Sequence, residues 1–169
     1  MELKKYIREI QNFPKEGIGF KDISPLLANG EVFNEVIKMM AEEAKDVDVI
    51  VGADARGFLF GAPVAALLKK PFIMVRKPGK LPSEVIKRKY DLEYGTNELQ
   101  MHKDAIKPGQ TVAIVDDLLA TGGTTKAIIE LVEELGGEVK KLVFLINLLF
   151  VKHEPSLSEY ETVSLIKYD

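Results

Sequence analysis

Residues 112–125 read VAIVDDLLATGGTT. An apolar, β-branched run ends in two acids, Asp116 and Asp117, and a loop from Leu118 to Thr125 opens a helix that begins near Thr124. Ligands of open parallel sheets sit at the carboxyl ends of strands, and this loop would lie at such an end. Unpaired amides and the positive end of the helix dipole favour an anion there. Gly122 and Gly123 allow the backbone to curl around it, and Thr121, Thr124 and Thr125 add hydroxyl donors. Asp116 and Asp117 would repel a phosphate, so they suit a different partner: vicinal hydroxyls of a sugar, or a metal. A plain strand–turn–helix with Thr124 as N-cap accounts for Gly-Gly or Asp-Asp alone, but less well for the whole order. Neither G-x-x-x-x-G-K-[ST] nor G-x-G-x-x-G occurs, which leaves a P-loop nucleotidase or a dinucleotide enzyme without support.

The segments on either side set the fold class. Val47–Gly52, Phe72–Val75 and Val139–Asn147 read as further strands, and Glu31–Ala44, Gly57–Leu68 and Thr124–Leu135 as helices. Their alternation predicts an α/β protein with a mainly parallel twisted sheet flanked by helices on both faces, built as one domain over 1–169. Glu161–Tyr168 alternates as an edge strand would, and Leu3, Ile7 and Ile10 carry the spacing of a short opening helix. Pro14–Asp22 reads as an irregular loop. Lys77–Lys103 breaks the alternation; within it, Arg88–Tyr94 and Glu98–His102 could pair as a ribbon, and the insert as a whole reads as a lid or binding loop.

Bulk properties narrow the function classes. The chain has 169 residues, 46% hydrophobic and 29% charged, enough for one core. A formal net charge of -3 argues against a nucleic-acid partner, and the absence of cysteine excludes disulfides, zinc thiolates and cysteine nucleophiles. No apolar run approaches the roughly 18 residues of a membrane span, and no signal peptide is expected. A cysteine-free chain fits a cytoplasmic location. His102 and His153 share no metal-ligand spacing and read as surface or hydrogen-bonded histidines.

VAIVDDLLATGGTT resembles the 5-phosphoribosyl 1-pyrophosphate (PRPP) signature of type I phosphoribosyltransferases, in the form found in their adenine-specific branch. The resemblance runs from Phe13 to about Leu145. It implies that Asp116 and Asp117 hold the ribose hydroxyls and that Ala120, Thr121, Gly122, Gly123 and Thr124 wrap the 5′-phosphate. IVGADARGFLFG, at 50–61, is similar to the family's pyrophosphate segment, with Ala55 and Arg56 as its anion site; an Asp54 N-cap paired with an arginine is the bland alternative. FPKEGIGFKDISPLL, at 13–27, resembles the family's base-binding hood, which assigns base binding to Gly19, Phe20 and Lys21. Arg76, Lys77 and Lys80 match the lid basic residues, Glu93 the general acid/base at the purine, and Tyr94 a residue holding the lid closed. Glu93, Arg56 and Lys80 are thus the implied catalytic residues. The resemblance further implies Mg²⁺ held mainly by substrate oxygens, adenine and PRPP as substrates, AMP as product, and a homodimer. Asn147 and Lys152-His153 stand where the family often has a glutamate and a Gly-Arg pair. Two other functions share these features: transfer to a 6-oxopurine, and a non-catalytic regulator that senses PRPP or nucleotides.

Overall fold

The structure is a computed structural model and describes residues 1–92 and 95–169. Five parallel strands form the central sheet: β3 (Val49–Ala53), β4 (Phe72–Val75), β7 (Thr111–Leu119), β8 (Glu138–Leu148) and β9 (Glu161–Tyr168). Their spatial order is β4-β3-β7-β8-β9. From β3 the chain first steps outward to β4 and later returns to add β7 on the other side. The order in which strands are added therefore reverses between β3 and β7, and such a switch point opens a crevice at the strands' carboxyl ends.

Strand alternation divides the core in two. Ile50, Ala113, Val115, Val143 and Leu145 face α2 (Gly30–Ala44) and α3 (Arg56–Leu68), which supply Val36, Met40, Phe60 and Val64. Val49, Val51, Val112, Ile114, Leu142 and Phe144 face α4 (Gly123–Glu134), which supplies Ala127, Ile128, Leu131 and Val132. In α2 the buried positions Val32, Val36, Ile37 and Met40 recur at helical spacing. Its start is set by Asn29, whose side chain accepts from the Val32 amide at 3.2 Å, a cap worth about 1 kcal/mol.

The insert between β4 and β7 forms a two-stranded antiparallel ribbon of β5 (Val85–Leu92) and β6 (Gly95–His102), longer than expected from the sequence. Leu99 and Met101 bury one face of the ribbon against the α4 layer, and Arg88 reaches Glu134 of α4 at 2.9 Å. Arg76, just after β4, exchanges both backbone hydrogen bonds with Gln100 and so anchors the ribbon to the sheet.

Two sequence expectations are corrected. The N-terminal residues do not form one amphipathic helix. A single 3₁₀ turn over Leu3–Tyr6 leads into β1 (Arg8–Ile10), which pairs antiparallel with β2 (Phe20–Asp22), so the expected irregular loop ends in a strand. Leu3 and Ile7 are buried in the α2–α3 layer, a tertiary demand that outweighs helical spacing. The short helix α1 (Ser24–Leu27) follows. The second correction concerns β7, which does not stop at the acid pair but runs on to Leu119, because pairing to β8 continues through Leu118↔Ile146 and Leu119↔Asn147.

Candidate active site

The crevice predicted by the switch point is a cleft of about 430 Å³ between the β3–α3 and β7–α4 connections. Its walls bring together Ala55, Arg56, Asp116, Asp117 and the loop Ala120–Thr124, residues 60 or more positions apart in the chain. The N-cap of α4 is Gly122, which is left-handed (φ 88°), and the first-turn amides of a helix have no acceptor within it. The loop's carbonyls are tied down behind it. The Glu154 amide donates to Thr121 O at 2.7 Å, and His153 Nδ1 lies 2.5 Å from Ala120 O. His153 Nε2 in turn lies 2.9 Å from Asn147 Oδ1 at the end of β8. Two of the loop's carbonyls are thus engaged by residues 153 and 154, while its residues line the cleft.

One acid–arginine pair crosses the crevice and a second stands beside it. Arg56 lies 3.0 Å from Asp117, and Arg76 lies 3.0 Å from Asp54. The bland reading of Asp54 as an N-cap is thus replaced: Ala55 is the N-cap and makes no side-chain cap bond. Asp117 is buried, and its Oδ2 receives no hydrogen bond, because the Arg56 N–H is near but not aimed at it. Asp54 Oδ1 is likewise buried without a donor. Burial, followed by the neighbouring Asp117 charge, pushes the Asp116 carboxyl well above the ordinary carboxylate range; the Asp117 amide donating to Asp116 Oδ1 at 2.8 Å offsets this only in part.

A second hollow of about 370 Å³ adjoins the first through Arg56, which lines both. Phe20 lines it, with Phe13 edge-on at 5.0 Å and the Arg56 guanidinium 5.5 Å from the Phe20 ring centre. Gly19 and Lys21 flank this hollow in sequence but do not line it. The Lys21 ammonium pairs with Glu9 and sits over the Tyr168 ring at 4.1 Å, which leaves only the backbone of residue 21 for recognition on that side. Lys77 and Lys80 are exposed and outside the cleft, and Arg76 reaches it only through Asp54. Glu93 and Tyr94 lie outside the described residues. Sequence reasoning gave no role to Tyr90 or Asn97; it read His153 as a surface or hydrogen-bonded histidine, and the structure shows it hydrogen-bonded. The departures at Asn147 and His153 were the one available signal, and the structure puts those two side chains in contact.

Among the described residues, no three acidic or histidine side chains converge as a metal cage. The cleft instead offers the Asp116–Asp117 pair beside the loop Ala120–Thr124 at the start of α4. That donor set fits a divalent cation carried in mainly by phosphate oxygens, as Mg²⁺ prefers.

Comparison with known proteins agrees with this geometry. The phosphoribosyl transferase domain family matches residues 22–166, and the chain belongs to that family. Within it, the chain groups with the adenine phosphoribosyltransferases. It is 66% identical to the adenine phosphoribosyltransferase of Mycoplasmopsis agalactiae, over 99% of this chain and all of that one. The crystal structure of the Thermoanaerobacter pseudethanolicus enzyme superposes with a TM-score of 0.94 at 53% identity, covering 99% of this chain and 98% of the other. The Saccharomyces cerevisiae enzyme, solved with an imino-altritol bisphosphate and adenine, gives 0.88 at 40% identity, covering 97% of this chain and 96% of the other.

Proposed function

We propose that this chain transfers the 5-phosphoribosyl group of PRPP to N9 of adenine, giving AMP and pyrophosphate, as a purine-salvage enzyme. The observation that carries this reading is the cleft itself: two anion-binding segments at one switch point, with an acid pair between them and an aromatic hollow alongside. In the reaction the ribose C1–oxygen bond breaks, a C1–N9 bond forms, and adenine loses a proton. Positive charge grows on the ribose ring and negative charge on the leaving pyrophosphate, so fixed charges and positioning do most of the catalysis.

The amides of Ala120–Thr124 take the 5′-phosphate, and Asp116 and Asp117 take the ribose hydroxyls. Arg56 lies beside Asp117 and is shared with the base hollow, and it neutralises pyrophosphate beside Ala55. Phe20 stacks on adenine, while the backbone of Gly19 and Lys21 reads its edge; stacking of this kind is worth about 1–3 kcal/mol. Arg76, Lys77 and Lys80 meet pyrophosphate from the lid side, and Tyr94 helps hold the lid. Asp116 and Asp117, directly or through water, would face a Mg²⁺ carried in mainly by substrate oxygens, which would supply positive charge beside the leaving group. We place the enzyme in the cytoplasm as a homodimer; the exposed Leu67 and Met74, on α3 and the edge strand β4, offer apolar surface for a second copy.

Incubation with PRPP, Mg²⁺ and adenine should yield AMP. Turnover of hypoxanthine or guanine in its place would reassign the base, and no turnover of any base would favour a regulator. Glu93 holds or releases the purine proton, a role worth about 10²–10⁴-fold. Glu93→Ala should lower kcat at least about tenfold with a smaller loss of PRPP affinity; an unchanged kcat removes it from the chemistry. His153 acts through the loop carbonyl it holds. His153→Ala should raise the KM for PRPP about three- to tenfold and leave the KM for adenine alone, whereas equal rises in both would mean general loosening.

A further inference from the structure

The anion cradle has a second support, from the ribbon. Tyr90 on β5 points inward between the exposed Lys89 and Asp91, and its ring packs with the α4 layer. The ring also reaches the loop: a Cβ on Gly123 would stand 3.4 Å from Tyr90 Cδ2. Thr124 Oγ1 donates to the Tyr90 hydroxyl at 3.2 Å, and so does Asn97 Nδ2, also at 3.2 Å. Asn97 sits directly opposite Tyr90 in the ribbon register. Its amide cannot turn freely, because Oδ1 already accepts the Glu98 N–H at 3.1 Å, and this orients Nδ2 toward Tyr90.

A tyrosine hydroxyl accepts two hydrogen bonds and donates one. Thr124 and Asn97 fill both acceptor positions here, so the Tyr90 proton is the donor left to assign. We infer that Tyr90, fixed by Asn97, is a positioning residue for the 5′-phosphate, acting through Thr124. This rests on the phosphoribosyl reading above. When a phosphate oxygen reaches the start of α4, the Thr124 hydroxyl turns its proton to it, and the freed Thr124 oxygen accepts from Tyr90 O–H. The donors then run in one direction, from Asn97 to Tyr90 to Thr124 to phosphate. Each bond polarises the next, and the Thr124 hydroxyl becomes a better donor than it would be alone.

The test is a double-mutant cycle read by ribose 5-phosphate affinity in calorimetry, with steady-state kinetics alongside. Tyr90→Phe keeps the ring on Gly123 and removes only the hydroxyl. It should weaken ribose 5-phosphate about five- to tenfold and raise the KM for PRPP by a similar factor, with the KM for adenine and kcat within about twofold. Asn97→Ala should act in the same direction by less, and serves as the independent probe if Tyr90→Phe folds poorly. In a Thr124→Val background, Tyr90→Phe should add almost nothing, since the coupling passes through that hydroxyl. An equal loss in both backgrounds, or undiminished ribose 5-phosphate binding in Tyr90→Phe and Asn97→Ala, overturns the inference. A wild-type chain that binds ribose 5-phosphate in this Tyr90-dependent way and makes no AMP would sink the transferase reading and leave the positioning role standing.

Discussion

Gly122→Ala should lower kcat/KM about 100-fold and the melting temperature by about 5–15 °C. Two separate costs meet at this residue. Its φ of +88° is left-handed, a conformation that costs an L side chain about 1–2 kcal/mol. The new Cβ would also stand 2.5 Å from Leu157 Cδ1, inside any real contact distance. Leu157 is itself only 5% exposed, on the 3₁₀ turn Pro155–Glu159, so it has little room to move, and overpacking of this kind costs about 1–3 kcal/mol more. The activity loss is larger than the stability loss alone implies, because the same peptide starts α4 and aims its amides; a displacement of about 1 Å at such a site is worth about 10² in rate. Adding Leu157→Ala separates the two costs. It should relieve the clash and restore part of the melting temperature, while the strain in φ and most of the activity defect remain. A Gly122→Ala enzyme within twofold of wild type would mean that the loop's shape does not set the rate.

Gly122 also shows how the sequence could be read correctly in outline and still fall short in detail. The strand–acid–glycine order pointed to a curled backbone at a helix start, but nothing local reveals that Leu157, 35 residues later, closes the space behind it. The same holds across the site. The parallel sheet was legible because its strands are buried on both faces and therefore written as continuous apolar runs, VIVGA and VAIV among them. The ribbon was legible from its place outside the alternation. Partners across the crevice were not. Asp54 stands two residues from Arg56 in the chain, yet it pairs with Arg76, while Arg56 crosses to Asp117. Spacing identified the ions and the fold chose the pairs.

The N-terminus was misread for a related reason. Leu3, Ile7 and Ile10 fit a helix, but β1 is three residues long and owes its conformation to β2, ten residues further on. Periodicity over so short a window cannot distinguish a helix from a strand whose partner is elsewhere. Lys21 is the local consequence. It carries a side chain suited to an anion, and the β1–β2 pairing hands that side chain to Glu9, so any role at the base falls to its main chain.

Asp116→Asn should make the protein more stable and the enzyme much worse. Without ligand, the Asp116 carboxyl sits in protein surroundings beside that of Asp117, and these two causes, burial first, raise its pKa well above the ordinary range. A carboxyl whose folded-state pKa exceeds its unfolded value of about 3.9 opposes folding at neutral pH and ceases to do so as pH falls through the folded-state value and the proton is taken up. Asparagine keeps the oxygen that accepts the Asp117 amide and deletes the charge. At pH 7.5 we expect a melting temperature about 2–4 °C above wild type for each kcal/mol relieved. As the buffer is made more acidic, wild type should close that gap, since its own Asp116 becomes neutral. A gap that widened on acidification would mean that the charge is stabilising and the assignment is wrong in sign. Catalysis should move the other way: losing a charged acceptor for the ribose hydroxyls removes about 1.5–3 kcal/mol, or about 10- to 150-fold in kcat/KM. A structural aspartate would lose stability and activity together. Opposite movements are expected only of a charge kept in an unfavourable place for the sake of its substrate.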